Sequence, residues 1–317
     1  MWNGVNIVYL YSPSFKNFEA IIHTFIAVLK ARQYNVDILH IHAIGPGLMI
    51  PLARLLGLKV VVTHHGPDYQ RDKWGKIAKT ALWIGEWFCC KFAHEVIAIS
   101  QGIMKILQKR CYRIPDVIFN GVFLKDKSRD IDFLSSLGLK SGQYILSVSR
   151  IEPEKGVHLL IDAYRQLNTD KKLVIAGYTN YSRKYSEQIQ KQISNNKRIL
   201  FIGFVTGEPL AQLYSHARLF VLPSFHEGLP IALLEAMSYG LSVLVSDIPA
   251  NIETGLSSDR YFKCGDTNDL KEKMEHHLVN DISDAEIENF RKKIEKHYNW
   301  ETIAEKTIKV YERALLK

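Results

Sequence analysis

Two glutamates, Glu227 and Glu235, stand eight positions apart within the stretch 219–247. Carboxylate oxygens are acceptors, and they suit the hydroxyl groups of a sugar. Between the two, residues 228–232 would offer free backbone N–H groups at a helix start, where the positive end of the helix dipole favours an anion. The pattern therefore favours a ligand that carries both phosphate and hydroxyl groups, as a nucleotide sugar does.

The elements that must position these glutamates form a strand, a loop, a helix and a second strand. Residues 219–222 are an apolar run of buried-strand type, and residues 223–228 carry turn residues. Pro230 suits the first position of a helix, Gly240 suits its end, and residues 242–246 form the next strand. In such a βαβ unit, ligands bind beyond the carboxyl ends of the strands.

The segment EGLPIALLEAMSYG, residues 227–240, resembles the Glu-x7-Glu signature of the family-4 retaining glycosyltransferases. This resemblance covers nearly the whole chain and implies α/β architecture of the GT-B type, with two Rossmann-like doubly wound domains and a cleft between them. By the same resemblance, Glu235 hydrogen-bonds the nucleotide ribose and Glu227 faces the hydroxyls of the donor sugar. The alternative is that both glutamates are solvated surface residues.

Two cations, Arg150 and Lys155, follow the predicted strand at 144–149. Cations at a strand end can clamp a diphosphate and offset the charge on a leaving nucleotide, and the family has a similar arginine and lysine pair. The resemblance also implies that backbone groups of Phe204 and Val205 frame the base. The residues predicted to bind the nucleotide sugar are Arg150, Lys155, Phe204, Val205, Glu227, Gly228, Leu229, Pro230 and Glu235.

His65 follows the strand KVVVT at 59–63. A histidine after a similar strand in the family lies under the donor sugar, so the resemblance implies a hydrogen bond from His65 to that sugar and no proton abstraction. The alternative is a capping or core histidine, and its neighbour His64 has no assigned role. The predicted catalytic residues are His65, Arg150, Lys155 and Glu227.

No metal ion and no cofactor is expected beside the donor, which is a substrate. The triplet at 130–132 spells the Asp-x-Asp pattern of metal-dependent glycosyltransferases, but it lies in a charged linker. Such a triplet normally ends a strand in a nucleotide pocket. We therefore interpret it as linker sequence.

Alternating strand and helix patterns, beginning with a predicted strand at 5–10, indicate parallel sheets. We predict an acceptor-side domain at 1–125, a nucleotide-sugar-binding domain at 139–299, and a last helix at 300–317 that crosses back to the first domain. Most family members begin with about fifty residues that this sequence lacks, including a glycine-rich loop. The lack of these residues leaves an exposed sheet edge that could recruit another chain. Three explanations remain open: a start that lies further upstream, a separate N-terminal polypeptide that completes the domain, and a truncated, weakly active or inactive remnant.

Amino-acid composition and charge limit the classes of binding partner. The 317 residues carry a formal charge of +8, which favours anions, and no nucleic-acid-binding motif accompanies it. The basic run at 68–79 is typical of a solvated face. The alternative hypothesis is that it borders the acceptor site and contacts lipid phosphates, in which case charge reversal at Arg71, Lys73 and Lys76 should weaken membrane or acceptor binding. No apolar run is long enough to span a bilayer, and the four cysteines are expected to be free thiols. These features predict a cytoplasmic protein, with the inner membrane face as a docking hypothesis.

We predict a glycosyltransferase that moves a sugar, with retention, from a nucleotide diphosphate sugar to a glycan or lipid-linked acceptor during bacterial surface polysaccharide synthesis. The segments IIHTFIAVLK and HHGPDYQRDKWGKIAK resemble rhamnosyltransferase-like members. The alternative is a non-catalytic nucleotide-sugar-binding subunit of a split enzyme. A GT-B epimerase or phosphorylase fits the motif order less well.

Overall fold

The computed structural model describes residues 4–12, 19–70, 74–178, 183–194 and 196–317. The chain divides into two compact units by its internal contacts. The first unit comprises Met1–Phe119 and Ala304–Lys317, and the second comprises Asn120–Ile303.

The first unit contains a parallel sheet whose strands lie in chain order. Its strands are β1 (Leu39–His42), β2 (Val60–His64), β3 (Glu95–Ala98) and β4 (Asp116–Val117). Its helices are α1 (Glu19–Gln33), α2 (Ile50–Leu55), α3 (Lys76–Phe92), α4 (Gln101–Cys111) and most of the last helix, α13 (Trp300–Leu316). The central strand β2 is buried along its whole length, as expected for a parallel strand covered on both faces.

The second unit contains a parallel sheet of six strands. They are β5 (Tyr144–Val148), β6 (Lys172–Ala176), β7 (Ile199–Gly203), β8 (Leu219–Leu222), β9 (Val243–Ser246) and β10 (Tyr261–Phe262). Their order is β10-β9-β8-β5-β6-β7, so the chain winds outward from β5, returns, and winds outward again from β8. The topological switch point therefore lies between β5 and β8, which is where ligands bind in sheets of this kind.

Helices of the second unit connect these strands. They are α5 (Asp132–Ser136), α6 (Val157–Arg165), α7 (Arg183–Ile193), α8 (Gly207–His216), α9 (Ile231–Ser238), α10 (Pro249–Ile252), α11 (Thr267–Val279) and α12 (Asp284–His297). Local capping explains some of the helix starts, because the Asp266 carboxylate accepts from the backbone of Asn268 and Asp269 before α11. Among the helices of the described ranges, none has the length and apolar character needed to cross a membrane.

The prediction of a strand at 5–10 is wrong. Residues 6–10 form no strand, and Val5, Val8 and Tyr9 are exposed. A run of strand-type residues becomes a strand only where a neighbour accepts its hydrogen bonds, and this run joins none of the strands in the first sheet. Helices α4, α7 and α12 were not predicted, because their apolar stripes are narrow in otherwise polar sequence.

The prediction that all cysteines are free is also wrong. Cys90, near the end of α3, forms a disulfide with Cys111, the last residue of α4, and their Cα atoms lie 6.0 Å apart. Cys89 and Cys264 are free. The pairing depends on how two helix ends meet, and the spacing of 21 positions did not indicate it.

Candidate active site

The loop after β5 carries two of the predicted cations. Arg150 follows the strand, and Pro153–Lys155 forms one turn of 3-10 helix that ends at Gly156 with φ +66°. A left-handed conformation of this kind favours glycine. The turn brings the Lys155 side chain back into the protein, where it is nearly buried.

The loop after β8 carries Glu227. Ser224, fully buried, donates a hydrogen bond from Oγ to Glu227 Oε1 at 2.7 Å, and its own carbonyl accepts from Ser246 Oγ at 2.5 Å. Bonds to both neighbouring segments fix the shape of this loop. The Glu227 carboxylate is consequently held against the end of the strand.

The two loops meet at the switch point. Lys155 Nζ lies 2.7 Å from Glu227 Oε1, with the two side chains only 11% and 10% exposed. The backbone N–H of Phe225 donates to the carbonyl of Glu154 at 2.8 Å. A Cβ at Gly156 would lie 2.0 Å from the carbonyl oxygen of Pro223, so the loops approach each other as closely as a glycine permits.

Arg150 lies on the more open side of the same loop. Its guanidinium contacts Glu152 at 3.1 Å and Glu154 at 3.5 Å, and its side chain is 44% exposed. Both predicted cations are thus paired with carboxylates of their own unit. An entering diphosphate would compete with those carboxylates for the cations.

Gly228, Leu229 and Pro230 lead into α9. Pro230 is the residue before the first helical turn, one position earlier than predicted. The N–H group of Ile231 donates to the carbonyl of Leu229 at 3.0 Å. The expectation of free N–H groups throughout 228–232 is therefore wrong at Ile231.

Glu235 lies in α9 and contacts a different set of residues. Its Oε2 accepts from the hydroxyl of Tyr214 at 3.0 Å. Burial raises the pKa of the Glu235 carboxyl above its usual value, and the Tyr214 hydrogen bond and the charge of Lys125 oppose that rise. The residue lines a cavity of about 700 Å³ together with Tyr239 and Trp300.

Phe204 and Val205 follow β7. The Phe204 ring is exposed and lies edge-on to Tyr178, with centroids 4.9 Å apart. Gly177, at the end of β6, has φ +153°, and a Cβ there would lie 1.8 Å from the carbonyl of Ser149. The strand ends of β5 and β6 therefore make a close backbone contact beside Arg150.

In the first unit, His65 lies beside His42, with 3.0 Å between His65 Nε2 and His42 Nδ1. His40, on the same strand as His42, contacts the hydroxyls of Tyr311 and Thr63, each at 2.7 Å. Burial lowers the pKa of His65 to about 4, with smaller contributions from its histidine neighbours. His65 is therefore neutral at physiological pH.

His64 has a structural role. It is fully buried, and its Nε2 lies 3.0 Å from Oε1 of Glu86, which also pairs with Arg110 at 2.6 Å. Its Nδ1 accepts from the backbone N–H of Gly66 at 3.2 Å, so the second nitrogen carries the proton. This buried pair anchors the turn that presents His65.

Sequence reasoning missed Tyr214, His42 and Glu86. The signal for Glu86 was available, because it is the only acid in the otherwise apolar run 81–90, and a buried charge requires partners. Tyr214 and His42 gave no such signal. Within the described residues, no group of three or more histidine, cysteine, aspartate or glutamate side chains is placed to hold a metal ion.

Two α/β units with parallel sheets, and a cluster of charged side chains at the switch point of the second, define the GT-B class of fold. The structure is similar to sucrose-phosphate synthase from Thermosynechococcus elongatus, with a TM-score of 0.81 and 22% identity over 96% of this chain and 80% of that one. It is also similar to HepE of Anabaena in complex with UDP and glucose, with a TM-score of 0.80 and 21% identity over 95% and 84% of the two chains.

Sequence comparisons identify the family. The profile of the group 1 glycosyl transferases matches residues 131–297, and that of Glycosyltransferase Family 4 matches residues 3–125. This chain belongs to the group 1 glycosyltransferases.

Curated relatives agree with this assignment. An uncharacterised glycosyltransferase of Methanocaldococcus jannaschii is 31% identical over 70% of this chain. The UDP-Gal:α-D-GlcNAc-diphosphoundecaprenol α-1,3-galactosyltransferase of Escherichia coli is 31% identical over 71% of it. The matched part spans 60% of the length of each relative.

Proposed function

We propose that this protein transfers a sugar, with retention, from a nucleotide diphosphate sugar to an acceptor hydroxyl during the synthesis of a surface polysaccharide. The observation that carries this proposal is the pairing of Lys155 with Glu227 at the switch point, with Arg150 on the same loop. Cations for a diphosphate and a carboxylate for sugar hydroxyls are thereby placed side by side.

The names of relatives support the substrate class. One relative in Escherichia coli is an O-antigen chain mannosyltransferase, another acts on a diphosphoundecaprenol-linked sugar, and HepE was solved with UDP and glucose. For this chain we propose a nucleotide diphosphate hexose as donor and a glycan or lipid-linked sugar as acceptor. Because the sequence resembles rhamnosyltransferase-like members, a dTDP-linked sugar should also be tested as a donor.

In the proposed reaction, the bond between the anomeric carbon and the phosphate oxygen breaks, and its electron pair remains on the phosphate. The acceptor oxygen forms a bond to the anomeric carbon from the same face, and its proton passes to the departing phosphate. Arg150 and Lys155 offset the charge that develops on the diphosphate. In this proposal the two side chains perform that task without a metal ion.

For the other site residues we propose binding roles. Glu227 accepts from donor-sugar hydroxyls, Glu235 accepts from ribose hydroxyls, and Phe204 lies beside the base. His65 donates or accepts a hydrogen bond at the donor sugar. A group with a pKa of about 4 is a weak base at neutral pH, so proton abstraction does not suit it.

A surface of the first unit fits a peripheral membrane contact. Ile77, Trp83, Ile84 and Trp87, here called the α3 stripe, are between 37% and 90% exposed and lie on one face of α3. The acid of this helix, Glu86, is buried, whereas Lys91 is exposed. Apolar and aromatic side chains with basic neighbours suit an anionic lipid surface.

The test combines binding and turnover. The purified chain is titrated with UDP, GDP and dTDP by calorimetry, and hydrolysis of the matching nucleotide sugars is then measured. We expect one nucleotide to bind and Lys155→Ala to weaken its binding at least about tenfold, while replacement of the exposed Lys140 by alanine leaves it unchanged.

Two results would refute parts of this proposal. Equal binding by Lys155→Ala and the unaltered chain would remove the diphosphate role of the switch point. Tight nucleotide binding without hydrolysis or transfer of any donor would indicate that the protein is a nucleotide-sugar-binding subunit and not an enzyme.

A further inference from the structure

Tyr214 is a buried tyrosine of α8 whose hydroxyl reaches α9. It is 1% exposed, donates to Glu235 Oε2 at 3.0 Å, and lies 3.4 Å from the carbonyl oxygen of Ala232. Its ring stacks on Tyr239, with centroids 5.5 Å apart and planes at 13°. Burial and this stacking contact hold the hydroxyl in one place.

The carboxylate of Glu235 has a second oxygen. Among the described residues, Oε1 has no hydrogen-bond partner, and the side chain borders the cavity of about 700 Å³. A free glutamate on a helix samples several rotamers, and fixing it costs side-chain entropy. A hydrogen bond to Oε2 removes part of that cost before any ligand arrives and leaves Oε1 to accept from one.

We propose that Tyr214 is a positioning residue that orients Glu235 so that its free oxygen accepts a hydrogen bond from the ribose 2′-hydroxyl of the donor nucleotide. This inference rests on the proposed function, because it needs a nucleotide as ligand. The tyrosine acts through the carboxylate and touches neither the sugar nor the phosphates.

The same hydroxyl affects the charge of the carboxylate. Burial raises the pKa of Glu235, and the bond from Tyr214 lowers it again. Without this bond, the pKa of Glu235 would be higher still, and a protonated carboxyl is a poorer acceptor. Loss of the hydroxyl should therefore move the acid limb of nucleotide binding to higher pH.

The test compares ribonucleotides with 2′-deoxyribonucleotides. The full chain is titrated with UDP, GDP, ADP and dTDP, and the ribonucleotide that binds is compared with its 2′-deoxy form. We expect the unaltered chain to prefer the ribose form by about tenfold, and Tyr214→Phe to reduce that preference to about two- to threefold.

A matched control separates positioning from stability. Tyr164→Phe also deletes a buried hydroxyl of the second unit, which donates to the carbonyl of Lys171 at 2.7 Å and has no contact with Glu235. It should keep the full ribose preference. In a Glu235→Gln background, Tyr214→Phe should change the preference no further.

The preference is a ratio measured on folded protein, so a partly unfolded variant does not mimic the effect. A Tyr214→Phe protein that retains the full preference and the original pH profile would overturn the inference. An unaltered chain that binds ribose and deoxyribose forms equally would instead refute the ribose role of Glu235. Binding of dTDP alone would overturn this inference and leave the proposed function standing, whereas failure to bind any of the four nucleotides would refute both.

Discussion

Replacing Gly156 by alanine tests whether the contact between the two site loops holds the candidate site together. Gly156 adopts φ +66°, and a Cβ at this position would lie 2.0 Å from the backbone oxygen of Pro223. The neighbouring residue Lys155 pairs with Glu227 of the opposite loop. Any shift that relieves the clash must therefore separate the groups of the site.

The expected cost has two parts. A left-handed conformation costs a residue with a Cβ about 1–2 kcal/mol. Real Cβ contacts stay beyond 3.0 Å, so the loops must part by about 1 Å, and overpacking of this kind costs about 1–3 kcal/mol more. We expect Gly156→Ala to lower the free energy of unfolding by about 2–5 kcal/mol in total.

Gly142 provides the control. Its φ is +70°, but a Cβ there would meet nothing within 4 Å, so Gly142→Ala carries the conformational cost alone. Urea unfolding followed by circular dichroism gives the stability of both variants, and calorimetry with the nucleotide that binds gives their affinities. We expect only Gly156→Ala to lose affinity, by about tenfold or more.

Equal stability losses in the two variants would show that the Pro223 contact carries no energy. A Gly156→Ala protein with unchanged nucleotide affinity would show that the two loops do not bind the ligand jointly. Either result would contradict the reasoning from the switch point.

Three further predictions concern Glu227, His65 and the α3 stripe. Glu227→Gln removes the carboxylate that competes for Lys155, so UDP or the matching nucleotide should bind about three- to tenfold more tightly by calorimetry while sugar transfer falls; unchanged affinity would contradict the competition. His65 has a pKa of about 4 in the folded protein, below its ordinary value of 6.5, so the free energy of unfolding should fall as pH drops from 6.5 to 4. Urea titrations at pH 7 and pH 5 measure this loss, and His65→Gln should reduce it. Trp87→Ser should weaken sedimentation with phosphatidylglycerol vesicles, whereas Tyr112→Ser, which alters an exposed aromatic outside the α3 stripe, should not.

Much of the fold was readable from the sequence because parallel strands are locally distinctive. The bounds predicted for β8 agree with the structure, since a short apolar run between turn residues has few alternatives, and the last helix, predicted at 300–317, ends one residue earlier at Leu316. The run at 5–10 had similar composition, but residues 6–10 join none of the strands in the described part of the chain. Local pattern indicates strand propensity, whereas pairing depends on the rest of the sheet.

The candidate site shows the same division. Residue types and motif spacing identified Arg150, Lys155, Glu227 and Glu235 as candidates for binding a nucleotide sugar. The sequence could not show that Lys155 and Glu227, which are 72 positions apart, form a buried pair. That contact depends on strand order, because β5 and β8 become neighbours only through the return of the chain.

The sequence by itself determined the family, the alternation of strands and helices, and the kinds of side chain available at the strand ends. Tertiary structure alone decided which of those side chains meet: Tyr214 with Glu235, His42 with His65, and Cys90 with Cys111. The physical reason is that propensity and periodicity act over a few residues, while hydrogen bonds, ion pairs and disulfides require two distant segments to pack within a few ångströms.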